Sequence, residues 1–468
     1  MKKFIALMSL SILALGLTPS RAANAFQSPI TFGTPRTEID FPNSLYFEVS
    51  ASSSAGEITS ADLVYYQRAE VSAITRTRRH LEFTPGANVT LSYNWDTAGT
   101  TVIPNAPYIY YWEVTDSAGN QVTSPEYFVR YEDTRFTWDV VKNDDVAVWT
   151  HGHPASFGQQ VFKIANQALS LQYPMFNIKI TYQLQIVIYN TDQEFAEWHS
   201  TRTNAVGGEA FTNVGVTTQI VPVGMGSDYW LKDVIPHEIS HMYFALATDN
   251  PKVSVPHWLN EGVATYNEFT DNSYMLAEVE RAAASGDLII LSSLANGFGR
   301  LVDEDRFRFA YSESLSAVTY MIETYGDAGL SNLLKAYREG HPTDDAFQIA
   351  FGRTMSEFEL DWAAWLGVPE GQYIIPTPWA MPTFPSAPTQ MVFGGTPDSK
   401  PSPTPQDTAE VVNSATPEIS ATPLPAVNPE QRPEHQPAAN RIPATLIFAL
   451  LFGLLFLAGI FWVLKRKT

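Results

Sequence analysis

Ser44-Leu45-Tyr46-Phe47-Glu48-Val49 and Tyr108-Ile109-Tyr110-Tyr111-Trp112-Glu113-Val114 alternate in polarity and are rich in β-branched and aromatic residues. That is the period-two signature of strands with one buried face. Similar runs fill residues 26–135, separated by turn chemistry such as Asp116-Ser117-Ala118-Gly119-Asn120, so this segment is expected to form a β-sandwich. From residue 136 the pattern changes: helix-period segments alternate with strands such as Tyr182-Gln183-Leu184-Gln185-Ile186-Val187-Ile188-Tyr189, predicting a mixed sheet with helices. After Asp228 almost every periodic segment is helical, with helices predicted around 256–269, 308–325, 327–339 and 355–366. No internal repeat is visible.

The two ends follow different rules. Lys2 and Lys3 precede an apolar run from Phe4 to Leu17 and an Ala23-Asn24-Ala25 site, the layout of a secretory signal peptide at 1–25. The 23 residues from Ile442 to Leu464 are almost wholly apolar and long enough to cross a bilayer as one transmembrane helix. Lys465, Arg466 and Lys467 follow directly, so the positive-inside rule places 465–468 in the cytosol and everything before residue 442 outside. Nearly half of the 32 prolines fall between 376 and 437, among Ser, Thr, Ala and Gln. Such a composition buries too little apolar surface to fold, and 371–441 is expected to be a disordered stalk.

The net charge of -20 argues against a nucleic-acid partner, which needs clustered Lys and Arg. The chain has no cysteine, which excludes disulfides, thiolate zinc sites and a cysteine nucleophile. A metal would have to be held by His, Asp or Glu.

His237-Glu238-Ile239-Ser240-His241 supplies such ligands, because residues four apart on a helix share a face and both imidazoles can reach one ion. Glu238, about 100° around the helix, can sit beside the open coordination position. Pro256-His257-Trp258-Leu259-Asn260-Glu261-Gly262-Val263-Ala264-Thr265-Tyr266 starts a second helix and offers Glu261 as a third ligand. Two His and one carboxylate leave a position for water, the arrangement of a catalytic rather than a structural site. One zinc ion (Zn2+) is the preferred occupant, although a non-haem iron triad uses the same ligand types. His257 is read as a helix-start polar residue. His151 and His153, in Thr150-His151-Gly152-His153-Pro154, are read as a solvated turn.

HExxH followed about twenty residues later by Asn-Glu resembles the gluzincins, the thermolysin-like peptidases and large zinc aminopeptidases. Trp258-Leu259-Asn260-Glu261-Gly262-Val263-Ala264-Thr265-Tyr266 is close to the aminopeptidase branch. The resemblance implies a zincin-like peptidase domain over 136–370, with His237, His241 and Glu261 as ligands and Glu238 as general base. It also implies a tyrosine that stabilises the oxyanion from a later helix, for which Tyr311 is the candidate. The extended stretch Asn213 to Val221 lies where gluzincins place an edge strand, and is expected to bind the substrate backbone. No Gly-x-Met-Glu-Asn motif precedes the HExxH, the nearest stretch being Gly207-Gly208-Glu209-Ala210-Phe211, so no anchor for a substrate α-amino group is identified. The His-to-Glu interval matches the thermolysin-like one. The Tyr-Tyr-Trp-Glu-Val-Thr-Asp-x-x-Gly-Asn stretch is similar to strands of immunoglobulin-like or fibronectin type III-like modules.

The expected protein is therefore a membrane-anchored extracellular zinc metallopeptidase, an endopeptidase acting on polypeptide substrates. Its β-sandwich could bind a cell-surface or protein ligand. The alternatives are an inactive metal-binding adhesion or scaffold protein, which has no use for Glu238, and an aminopeptidase, which needs the missing amine anchor.

Overall fold

The computed structural model describes residues 28–375 except 69–70, 72–74, 200–205, 225–227, 300 and 302, together with Ser420–Pro423. The proposed signal peptide, transmembrane helix and most of the stalk lie outside these residues. Among the described residues no helix is long and apolar enough to cross a membrane.

Two antiparallel sheets come first. In one, β3 (Ser44–Ser53) carries β1 (Ile30–Phe32) and β2 (Arg36–Asp40) on one edge and β6 (Asn88–Asp96) on the other. In the other, β5 (Thr77–His80), β4 (Ile58–Gln67) and β7 (Ala106–Asp116) lie in that order. There β8 (Gln121–Thr123) and β9 (Tyr127–Tyr131) share the outer edge of β7. The alternation read from the sequence decides the faces: Leu45, Phe47, Val49 and Ala51 of β3 meet Tyr108, Tyr110, Trp112 and Val114 of β7 in one core. The Asp116–Asn120 turn closes as expected, with Asp116 Oδ1 accepting the N–H groups of Ala118 and Asn120 at 3.0 and 2.9 Å and Gly119 at φ +84°.

The next sheet is mixed. Its strands are β10 (Asp139–Lys142), β11 (Val146–Thr150), β12 (Leu184–Tyr189), β13 (Val206–Phe211) and β14 (Val216–Ile220), ordered β10-β11-β12-β14-β13, with β15 (Ser420–Pro423) beyond β13. β11, β12 and β14 run parallel. The first two are joined over the helix α1 (Ala155–Phe176), and the short α2 (Asp192–Ala196) follows β12. All six residues of β12 are buried because both faces of the sheet are covered. Leu184, Ile186 and Ile188 belong to the helical core, whereas Val187 and Tyr189 belong to the core they share with the sandwich. Asp133, almost fully buried, fastens this junction by accepting hydrogen bonds from the Tyr189 hydroxyl at 2.8 Å and the Arg135 guanidinium at 2.6 Å.

The helices α3 (Asp228–Thr248), α4 (His257–Tyr266), α5 (Ser273–Ser285), α6 (Glu304–Arg338), α7 (Thr343–Phe351) and α8 (Met355–Trp365) complete the fold. α6 spans two of the predicted helices and kinks between them at Gly326, whose φ of 71° only glycine adopts readily. A β-rich region followed by a mixed α/β region is thus what the sequence led us to expect.

Three expectations need correction. The stretch 213–221 is not an edge: its strand β14 is paired on both sides, by β12 and β13, and β13 is the strand that packs against the helix that follows, Asp228–Thr248. The stalk is not uniformly without structure, since Ser420–Pro423 forms β15 by borrowing the hydrogen bonds of β13, which needs no core of its own. His151 and His153 are buried rather than solvated. The His151 ring stacks on Phe136 at 4.1 Å, and the His153 ring stacks on Phe157 at 4.0 Å while its Nε2 lies 3.1 Å from the Val221 carbonyl.

Candidate metal centre

Pro236 sits inside α3 immediately before His237. Proline has no N–H to give to the carbonyl four residues back, so that of Lys232 is left over. It accepts the N–H of Phe269 at 2.8 Å, and the Pro236 carbonyl accepts from Gln172 Nε2 at 2.7 Å. The first bond clamps the segment after α4 onto α3. The second ties α3 to α1. A residue that normally weakens a helix interior here joins three elements at the start of the HExxH turn.

The second ligand helix is held by close approach. A Cβ at Gly262 would lie 2.7 Å from the backbone carbon of Ser314 and 2.9 Å from Val318 Cγ2, so glycine is what lets α4 press against α6. This seats Glu261 under α3. His237, His241 and Glu261 are fully buried, and one donor atom from each lies within 4.8 Å of the others. Glu261 Oε2 is 3.4 Å from His237 Nε2 and 3.7 Å from His241 Nε2. Tetrahedral zinc with bonds of 2.0–2.1 Å separates its ligand atoms by about 3.4 Å. Donor type and spacing both fit one such ion.

Each ligand has a partner on its other polar atom. His237 Nδ1 lies 2.9 Å from Glu268 Oε1, and His241 Nδ1 lies 3.0 Å from Asn260 Oδ1. These contacts fix the Nδ1–H tautomers and turn both Nε2 atoms toward the shared space. Glu268 is itself held by Asn272 Nδ2, which donates to Oε2 at 3.0 Å. On Glu261 the division is similar, for His257 Nε2 approaches Oε1 at 3.5 Å and Oε2 faces the imidazoles.

Electrostatics follow from this packing. Burial opposes charge on His237, but Glu261 and Glu268 outweigh it and raise its pKa to about 10. His241 faces no carboxylate as close and is lowered to about 4, chiefly by burial. Burial also opposes charge on Glu261, yet His241, His237 and His257 bring its pKa down to about 2. The pocket without metal is therefore a carboxylate sharing a proton with one imidazole, the charge pattern a divalent cation would replace.

Glu238 is fully buried one position past His237. β13 runs beside it so closely that a Cβ on Gly208 would come 2.8 Å from Glu238 Oε1. Tyr311, from α6, is nine-tenths buried, and its ring lies 5.0 Å from Phe298, which in turn packs on His257 at 4.8 Å. Burial raises the Tyr311 pKa well above its ordinary value, helped by the nearby carboxylates of Glu261, Glu238 and Glu268. The structure thus brings His237, His241 and Glu261 together, with Glu238 next to His237 in the chain, and sets Tyr311 within electrostatic reach of Glu261 and Glu238. Sequence reasoning missed Glu268 and Asn260 as partners of the histidines. Asn260 adjoins the ligand in the Trp-Leu-Asn-Glu run, but nothing in the local sequence marks Glu268, which reaches His237 only because the chain folds back after α4.

Two imidazoles and a carboxylate within reach of one another, with a second carboxylate next in the chain to one of them, make a donor set that fits one divalent ion. Residues 164–368 match the model of the Peptidase MA superfamily, which bears out the gluzincin resemblance. Among solved structures, an M1 zinc metallopeptidase from Deinococcus radiodurans, a mutant bound to a Tyr-Ser-Ala substrate, is 13% identical with a TM-score of 0.32. The match covers 74% of this chain and 94% of that one. An aminopeptidase N family protein from Idiomarina loihiensis is 12% identical over 64% of this chain and 68% of its own, with a TM-score of 0.30. Catalytically inactive OgpA from Akkermansia muciniphila, in complex with an O-glycopeptide, is 13% identical over 25% of this chain, with a TM-score of 0.17. The match spans 32% of the OgpA chain. No curated protein matches the sequence.

Proposed function

We propose that the protein is a membrane-anchored extracellular zinc metallopeptidase that cleaves polypeptides internally. The observation that carries this reading is the convergence of His237, His241 and Glu261 from two helices at ligand-to-ligand spacings of 3.4 and 3.7 Å, with Glu238 buried beside them. A zinc ion held there would supply Lewis-acid polarisation of a scissile carbonyl and a lowered pKa for water. Glu238 then takes the proton of the attacking water and passes it to the leaving amine. Tyr311, whose raised pKa keeps its hydroxyl protonated, donates a hydrogen bond to the oxygen on which negative charge develops. Asn260 and Glu268 hold the imidazoles in the ligating tautomer, and the backbone of β13 is placed to align an extended substrate beside Glu238.

An internal rather than terminal cut is favoured by Glu209. It is the acid in the stretch nearest the aminopeptidase motif, but it is buried and engaged by His199 at 3.1 Å. On a strand its side chain points away from the face on which Gly208 meets Glu238. The location reading rests on the sequence alone, from the signal layout, the apolar run Ile442 to Leu464 and the basic residues after it. For the N-terminal unit, the order β1/β2-β3-β6 facing β5-β4-β7-β8/β9 supports a fibronectin type III-like module, suited to binding a surface or protein ligand. The test is cleavage of a peptide library by the purified protein. It should cease with a chelator and fall at least a hundredfold in Glu238→Gln while zinc remains bound. A Glu238→Gln protein that cuts as fast as the parent removes the assigned base.

A further inference from the structure

The outermost strand of the mixed sheet comes from the far end of the chain. Ser420–Pro423 pairs antiparallel with β13, matching Ala210 with Ser420, Glu209 with Ala421, Gly208 with Thr422 and Val206 with Pro423, with an irregularity between Val206 and Gly208. β13 is the strand that lies against Glu238 through Gly208. The opposite edge of the sheet, β10, is separated from β13 by β11, β12 and β14, about 19 Å at the usual strand spacing. The edge beside the catalytic carboxylate is thus the one the tail strand covers.

We propose that Ser420–Pro423 is an internal, substrate-like occupant of the active-site edge, which holds the enzyme in a latent form until a polypeptide displaces it. The proposal depends on the peptidase reading of the centre. A substrate adding to β13 needs the same outward N–H and C=O groups that β15 uses, so the two are mutually exclusive. The sequence of the occupant suits a weak, displaceable strand: Ser-Ala-Thr is small and uncharged, and Pro423 and Pro425 lack the N–H that would extend the ladder. Ser420 follows Ile375 by 45 residues, and tethering over such a length gives effective concentrations in the millimolar range. A strand of four pairs can therefore compete although a free peptide of the same sequence would bind poorly.

The experiment uses the full chain in detergent micelles, comparing the parent with Ser420→Pro/Ala421→Pro/Thr422→Pro, which removes the remaining strand N–H groups. A control, Thr408→Pro/Ala409→Pro/Glu410→Pro, adds the same number of prolines elsewhere in the tail. Hydrogen exchange of those Gly208–Ala210 amides that face β15 rather than β14, and kcat/KM on a peptide substrate, are read for all three. Exchange in the strand variant should be at least about tenfold faster than in the parent, and kcat/KM about 3- to 10-fold higher, with the control behaving as the parent. Equal exchange, or equal kcat/KM, in parent and strand variant overturns the proposal. Absence of cleavage in every form counts against the peptidase reading instead, and exchange alone then decides whether the tail covers β13.

Discussion

Gly262→Ala tests whether the close approach of α4 and α6 is what places Glu261. The new Cβ would sit 2.7 Å from the Ser314 backbone carbon and 2.9 Å from Val318 Cγ2. Carbon atoms pack at about 3.5 Å or more, so α4 must retreat by roughly 0.8 Å. Overpacking of this kind costs about 1–3 kcal/mol, and the better helix propensity of alanine returns about 1 kcal/mol. Because the closest contacts are with Ser314 backbone, which cannot turn aside, the cost lies at about 2–3 kcal/mol and the net loss should be about 1–2 kcal/mol, lowering the midpoint of thermal unfolding by roughly 2–8 °C with the protein kept metal-free by chelator. Because Glu261 is the neighbouring residue, its carboxylate moves off the 3.4 and 3.7 Å spacing, and zinc affinity should fall about tenfold in competition with a chromophoric chelator. The control is Gly299→Ala, where a Cβ meets nothing within 4 Å and stability should stay within about 0.5 kcal/mol. If Gly262→Ala proves no more destabilising than Gly299→Ala, the packing argument for the ligand helix is wrong.

Further outcomes follow from the centre's electrostatics and its tyrosine. Tyr311→Phe should lower kcat by about 10²- to 10³-fold with KM and zinc content little changed, and a loss confined to thermal stability would mark Tyr311 as packing only. Without metal, His237 carries a proton at neutral pH because its pKa is raised to about 10, and that proton must leave when zinc binds. Apparent zinc affinity should accordingly rise about tenfold per pH unit between pH 7 and about 9. Calorimetry at pH 8 in buffers of different ionisation enthalpy should show close to one proton released, and zero release contradicts the assigned charge pattern.

The parts of this protein that a short sequence window could reveal were those governed by local rules. Alternation in β3 and β7 announced inward faces because a two-residue period needs no partner to be read. His237 and His241 were legible because helix geometry alone makes residues four apart neighbours. The edge strand was misjudged at 213–221 because β14 and β13 are equally extended in sequence, and only the pairing partners decide which one is internal. Glu268 and β15 were invisible for the same reason. Glu268 acts through a chain reversal clamped by the Lys232 carbonyl, and β15 exists only on an edge supplied from more than 200 residues earlier. His151 and His153 went astray because glycine and proline around them suggest a solvated turn, while Phe136 and Phe157 cover their rings from outside the window.

The most direct test of the account is a crystal of the zinc-loaded protein measured on both sides of the zinc absorption edge. A single anomalous peak about 2.0–2.2 Å from His237 Nε2, His241 Nε2 and a Glu261 carboxylate oxygen is the expected result. A zinc-saturated crystal with no peak there, or with Glu261 turned away from an ion held only by the two imidazoles, would contradict it.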